Sequence, residues 1–241
     1  MNSIENKCLP DPGKVHLWLY ELTASARALE YFRSQLSPDE LDRAGRFCFP
    51  HLQVSFVIAH GVLRSVLAKY LGRSPAAIEF SYNPQGKPVL APSGCHLQFN
   101  LSHSGTLAAC AVASDCEIGV DVEKIRAMPD LFDIARRFFS PEECVELAGI
   151  PFDQQAPAFF TCWTRKEAYI KAIGGGLSIP LDSFRVSLLP NEPARLLSNS
   201  ENDAQRWNIQ EFDPGTGYRG AVAYTGAPRD LIVRRIKADE A

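Results

Sequence analysis

The sequence predicts an α+β fold: two similar α/β half-domains in one chain, related by a pseudo-twofold axis. Three observations carry this. Two helix starts, Ser37-Pro38-Asp39-Glu40 and Ser140-Pro141-Glu142-Glu143, share one signature of N-cap serine, proline at the first helical position and glutamate at the third. They stand 103 residues apart, and the same offset relates an alternating segment at 15–20 to another at 118–123. After each long helical stretch comes a glycine-containing turn and then a strand, with closely spaced strands to follow. That order suggests antiparallel sheets with helices on one side.

Taken along the chain, residues 15–20 form the first strand and Ser37 opens a helix. A long helix spans 52–72 and a strand follows at 77–82. Strands at 97–101 and 107–113 complete the first half. The halves join near 113–116, giving half-domains at 1–114 and 115–241. In the second half, 118–124 is a strand, Ser140 opens a helix, and the long helix recurs at about 155–175. A strand at 183–188 follows. The polar stretch 191–203 reads as a surface loop. Strands at 206–212 and 218–224 flank Asp213-Pro214-Gly215, a turn signal, and a last strand covers 231–236. A cleft between the halves is the natural ligand site.

Composition excludes several classes. Apolar residues make up 46% and charged residues 22% of 241, as in soluble globular proteins. A net charge of −3 gives no sign of nucleic-acid binding. No apolar run reads as long enough to cross a membrane, and residues 1–14 hold no signal-peptide core. The seven cysteines form no C-x-x-C pair, against a zinc ribbon or redox motif and in favour of reduced thiols in a cytoplasmic protein.

The chemistry concentrates in the second half. Ile118-Gly119-Val120-Asp121-Val122-Glu123-Lys124 alternates apolar and charged residues, as a half-buried strand does. Asp121 and Glu123 therefore share a face, with Cβ atoms about 6.5–7 Å apart. On the following long helix, Glu167 falls within an apolar stripe of Phe160, Trp163, Ile170 and Gly174, and Lys171 lies one turn on. One reading is a solvated strand face plus a Glu167–Lys171 ion pair. The other is an all-oxygen Mg²⁺ set of three carboxylates.

From Arg43 to Ile78 there is no acidic residue, while Arg43, Arg46, Arg64, Lys69, Arg73, His51 and His60 fall there and Lys87 follows. Such a run suggests an anion site, with phosphate the leading candidate. Asn100-Leu101-Ser102-His103-Ser104-Gly105 ends a strand in a tight turn. Ser102 and His103 suit hydrogen bonds to phosphate, and turn capping by Ser102 and Ser104 is the alternative. Gly174-Gly175-Gly176 lacks the G-K-[ST] of a Walker loop and ends a helix.

Three separated motifs now match a known family. They are Gly86-Lys87-Pro88 with Phe99-Asn100-Leu101-Ser102-His103-Ser104-Gly105, then Gly119-Val120-Asp121-Val122-Glu123-Lys124, then Phe138-Phe139-Ser140 with the run from Trp163 to Lys171. The chain resembles a 4′-phosphopantetheinyl transferase of the surfactin-synthetase-activating type, over about residues 43–188. The resemblance implies transfer of the 4′-phosphopantetheine arm of coenzyme A to a serine of an apo acyl or peptidyl carrier protein, releasing adenosine 3′,5′-bisphosphate. It implies Mg²⁺ on Asp121, Glu123 and Glu167. Catalysis is then expected from Asp121, Glu167 and Lys171, with Lys171 on the phosphates and either Glu167 or a metal-bound water as base. Coenzyme A contacts are implied for Arg43, Arg46, Lys87, Ser102, His103 and Lys171. Ser55 stands where many members carry arginine, and Glu40 where a lysine occurs.

An acidic carrier would be steered by a basic surface, for which Arg136, Arg137, Arg165 and Lys166 are candidates. A non-catalytic coenzyme A or carrier-binding module and a Mg²⁺-dependent phosphohydrolase are the rival readings. With both halves in one chain, a monomer is expected.

Overall fold

A computed structural model describes residues 9–91 and 95–241; the first eight residues of the N-terminal reading lie outside it. In the first half come β1 (Lys14–Glu21), α1 (Ala26–Gln35), α2 (Pro38–Gly45), α3 (Pro50–Leu71), β2 (Glu79–Tyr82), β3 (Pro88–Ala91), β4 (Leu97–Ser104) and β5 (Leu107–Ser114). Then follow β6 (Ile118–Lys124), α4 (Leu131–Phe138), α5 (Pro141–Ala148), α6 (Phe152–Ile173), β7 (Arg185–Val186), β8 (Leu196–Ser198), β9 (Trp207–Phe212), β10 (Tyr218–Thr225) and β11 (Asp230–Ile236).

The repeat is carried by local chemistry. Both capping boxes close: the Ser37 and Ser140 hydroxyls accept from the backbone of Glu40 and Glu143, whose carboxylates accept in return from the serine N–H groups. Proline starts α2, α3 and α5. The two long helices stop at Gly72 and Gly174, both left-handed at φ 61° and 75°. A glycine suits that conformation because it has no Cβ.

Sheet order repeats as well. β1-β5-β4 in one sheet matches β6-β10-β9 in the other, every pair antiparallel. Period-2 alternation decides the layers. Trp18 and Tyr20 of β1 pack on the apolar helices of the first half, while Val15, Leu17 and Leu19 meet Ile118, Val120 and Val122 of β6 in a central core. The order of layers is helices, sheet, sheet, helices.

Four features depart from the sequence reading. β11 pairs in parallel with β1, so a strand from segment 115–241 completes the first half's sheet. β8 lies within the stretch expected as a loop, held by pairing to β7. α1 and α4 are short helices that no periodic signal announced. α3 is long and apolar enough to cross a membrane by length and composition, contrary to expectation; its apolar residues instead fill the first-half core.

Candidate functional site

The site grows from one close approach. β6 lies on α6 so tightly that a Cβ on Gly119 would stand 2.1 Å from the Ala168 carbonyl oxygen and 2.4 Å from the Ala172 nitrogen. Only glycine fits there. The contact brings the helix-facing side of β6, with Asp121 and Glu123, against the turn of α6 that carries Glu167 and Lys171.

A second joint orients those carboxylates. On β4, Asn100, Ser102 and Ser104 alternate on one face. Their side-chain oxygens accept from the N–H groups of Val120, Val122 and Lys124 at 2.9, 3.4 and 3.1 Å, a side-chain ladder joining the two sheets. The Ser102 hydroxyl donates to Asp121 Oδ1 at 2.8 Å, and the Ser104 hydroxyl to Glu123 Oε2 at 2.6 Å. Thus Ser102 and Ser104 lie within a strand longer than expected, and both hydroxyls are spent on positioning carboxylates. The alternation N-x-S-x-S at 100–104 is the signal in the sequence for this ladder.

The electrostatics show a crowded anionic site. Asp121 is 3% exposed; its Oδ1 accepts from Lys171 Nζ at 2.6 Å, and its buried Oδ2 has no partner. Lys171 also donates to Ser102 Oγ at 3.1 Å. Lys171 thus pairs across the strand–helix joint with Asp121, and not with Glu167 as one of the two sequence readings had it. Burial raises the pKa of Glu167; Lys171 opposes this, and Asp121 and Glu123 reinforce it. Burial also raises Glu123, the Ser104 hydrogen bond opposes it, and Asp121 adds to the rise. Among the described residues, no three His, Cys, Asp or Glu side chains are drawn into one coordination sphere.

A band of cationic and imidazole groups runs from this cluster into the first half. The His103 imidazole is held below its ordinary pKa by burial and then by its neighbours His60 and Lys171. His60 stacks on Phe56, ring centroids 4.0 Å apart, and the Arg43 guanidinium lies 5.7 Å from the same ring. Arg43 and Arg46 are exposed at the end of α2. His60, which the sequence offered only as part of a basic run, links them to His103. Lys87 stands apart from this band: its ammonium is taken by the carbonyls of Ile118 and Ala172 at 3.0 and 2.8 Å. A separate cavity of about 760 Å³ beside Arg165, Glu211 and Arg219 is lined by none of the three carboxylates.

Other expected cations are structural. Arg64 is 2% exposed, paired with Glu40 at 2.6 Å, and donates to the carbonyls of Pro75 and Ile78. These contacts turn its guanidinium into the chain's own interior. Glu40 is the partner that makes burial of Arg64 tolerable. Lys166 repeats the device in the second half: it pairs with Glu143 at 2.8 Å and donates to the carbonyls of Leu181 and Phe184. Lys166 and Arg165 are 0% and 1% exposed, so neither can steer a carrier protein. Arg136 and Arg137 are exposed.

The internal repeat also explains why the equivalent place in the first half holds no carboxylate cluster among the described residues. By sheet register and helix end, Trp18 stands where Asp121 does, Tyr20 where Glu123 does, Ser65 where Glu167 does, and Lys69 where Lys171 does. Lys69 there sits over the Trp18 ring at 5.8 Å instead of on a carboxylate.

Comparison with known proteins decides the family. The model of the 4′-phosphopantetheinyl transferase superfamily matches residues 117–223, and that of the 4′-phosphopantetheinyl transferase N-terminal region matches residues 21–116. The chain is 42% identical over 234 residues to 4′-phosphopantetheinyl transferase HetI of Nostoc sp., covering 92% of this chain and 95% of that one. The chain belongs to the 4′-phosphopantetheinyl transferases. It is also 33% identical over 204 residues to the transferase Sfp of Bacillus subtilis, covering 85% of this chain and 89% of that one. As a transferase of this family, it moves the 4′-phosphopantetheine group of coenzyme A onto carrier proteins. The rival readings, a binding module and a phosphohydrolase, fall away.

Proposed function

We propose that Asp121, Glu123 and Glu167 hold one divalent cation, Mg²⁺, against the diphosphate of coenzyme A, and that Lys171 and Glu167 carry the transfer. The observation that carries this is the buried, unpartnered Oδ2 of Asp121, in a group where Asp121 raises the pKa of both glutamates. A buried carboxylate oxygen without a partner is costly. An all-oxygen donor set suits a hard cation and not zinc. When bound, Mg²⁺ would neutralise charge on the diphosphate.

The chain's own groups supply the rest. Lys171 is half-buried and poised to turn from Asp121 toward the phosphates once that carboxylate has another partner. Glu167, one turn before Lys171 on α6, is our candidate base for the carrier serine hydroxyl. The serine oxygen then attacks the β-phosphorus, and the bridging oxygen leaves with adenosine 3′,5′-bisphosphate. Positioning and charge stabilisation do most of the work in such transfers. On this reading His103, Arg43 and Arg46 take the nucleotide phosphates.

Intact-mass measurement of an apo carrier incubated with enzyme, coenzyme A and Mg²⁺ tests this. Wild type adds one arm; Asp121→Ala and Glu167→Ala fold normally and add almost none. Normal transfer by either variant refutes the assignment. We also read the enzyme as a cytoplasmic monomer: the chain contributes both halves, and the six described cysteines are all free.

A further inference from the structure

We propose that Lys87 and Asn83 are positioning residues, a clamp from the first half that fixes strand β6 against helix α6 and so sets the spacing of the acidic site. The clamp is a tight turn between β2 and β3. Asn83 Oδ1 accepts from the backbone of Lys87 and Gln85 at 2.7 and 3.0 Å, and the Asn83 N–H donates to the Lys87 carbonyl at 3.0 Å. The turn is thus rigid on its own hydrogen bonds.

From it two side chains cross to the second half. Asn83 Nδ2 donates to the Gly174 carbonyl at 2.8 Å, at the end of α6. Lys87 Nζ donates to Ala172, beside Lys171, and to Ile118, the first residue of β6. The last carbonyls of a helix lack partners within it, and a cation there is favoured. One ammonium therefore ties the end of the helix bearing Glu167 and Lys171 to the start of the strand bearing Asp121 and Glu123. The fit is close: a Cβ on Gly174 would stand 2.9 Å from Asn83 Nδ2 and 3.0 Å from Lys87 Cδ. Burial lowers the pKa of Lys87 to about 8, as expected for a group drawn out of solvent. Two of its three N–H groups are spent on backbone. The resemblance implies a coenzyme A contact for Lys87; this geometry gives it a different task.

The inference rests on the carboxylate reading, and kinetics separate the two. The measurement is steady-state transfer to an apo carrier with coenzyme A and with 3′-dephospho-coenzyme A, for wild type, Lys87→Met, Asn83→Ser and Asp121→Asn. A misplacement of about 1 Å can cost up to ~100-fold in rate. Lys87→Met and Asn83→Ser are expected to lower kcat at least ~10-fold, with KM for coenzyme A changed less than ~2-fold and the same loss on the dephospho substrate. Asn83→Ser keeps every charge and makes a smaller cut, so it serves if Lys87→Met fails to fold. A large rise in KM with kcat retained in Lys87→Met, or wild-type kinetics in Asn83→Ser, overturns the clamp. Wild-type turnover in Asp121→Asn overturns the carboxylate reading itself.

Discussion

Lys171 Nζ sits 2.6 Å from Asp121 Oδ1, bridging the helix and the strand that carry the acidic site. Its ammonium is the nearest cation to a carboxylate that is almost wholly buried. The same pair joins the two elements and would have to loosen for Lys171 to reach a phosphate.

Removing that ammonium should expose the site's dependence on a cation. Lys171→Met leaves Asp121 buried beside two other carboxylates, which costs stability because one partner of a buried pair is gone. In thermal melts without divalent ions, the variant should unfold below wild type. Added Mg²⁺ should raise its Tm by more than it raises that of wild type. Equal shifts in the two proteins would mean that Lys171 and the ion do not share Asp121.

Gly119→Ala should act through geometry alone. The new methyl meets backbone atoms of α6 that cannot swing away. Overpacking of this kind costs about 1–3 kcal/mol. Urea unfolding should show that loss, and the folded fraction should transfer the arm more slowly because Lys171 and Glu167 are pushed off β6. Unchanged stability would show that strand and helix are not in such close contact.

Glu40 gives a pH signature in the opposite half. Burial works against its charge, yet hydrogen bonds from His60, Arg64 and Ser37 hold the carboxyl at about 2, below its ordinary 4.5. A folded pKa below the unfolded one contributes stability that is present above about pH 4.5 and is lost as pH falls toward 2. Allowing for screening, the effect is roughly 2–3 kcal/mol. Glu40→Gln should therefore be clearly less stable than wild type at pH 7, with the gap narrowing near pH 3. A gap independent of pH would assign its loss to packing rather than to charge.

Much of this was legible in the sequence because it rests on local signals. The capping boxes, the αL glycines and the alternation of 118–124 each follow from neighbours within a few residues. The 103-residue offset then exposed the repeat, and Asp121 and Glu123 followed from strand parity. What escaped depends on partners far along the chain. Arg64 in a basic run looks like an anion ligand until Glu40 is seen folded against it. Arg165 and Lys166 look like surface charge until α6 is packed. Lys87 and Ser102 carry the family motifs, but their hydrogen-bond partners lie 31 and 19 residues away, across the two halves. No periodicity reports that β11 travels back to β1.

The central claim is that Asp121, Glu123 and Glu167 together hold one divalent cation. The most direct measurement is Mn²⁺ binding in place of Mg²⁺, read by water-proton relaxation in the presence of coenzyme A. Wild type should bind one ion per chain, and Asp121→Asn, Glu123→Gln and Glu167→Gln, all folded by circular dichroism, should each bind far more weakly. Undiminished binding in Asp121→Asn would contradict the account.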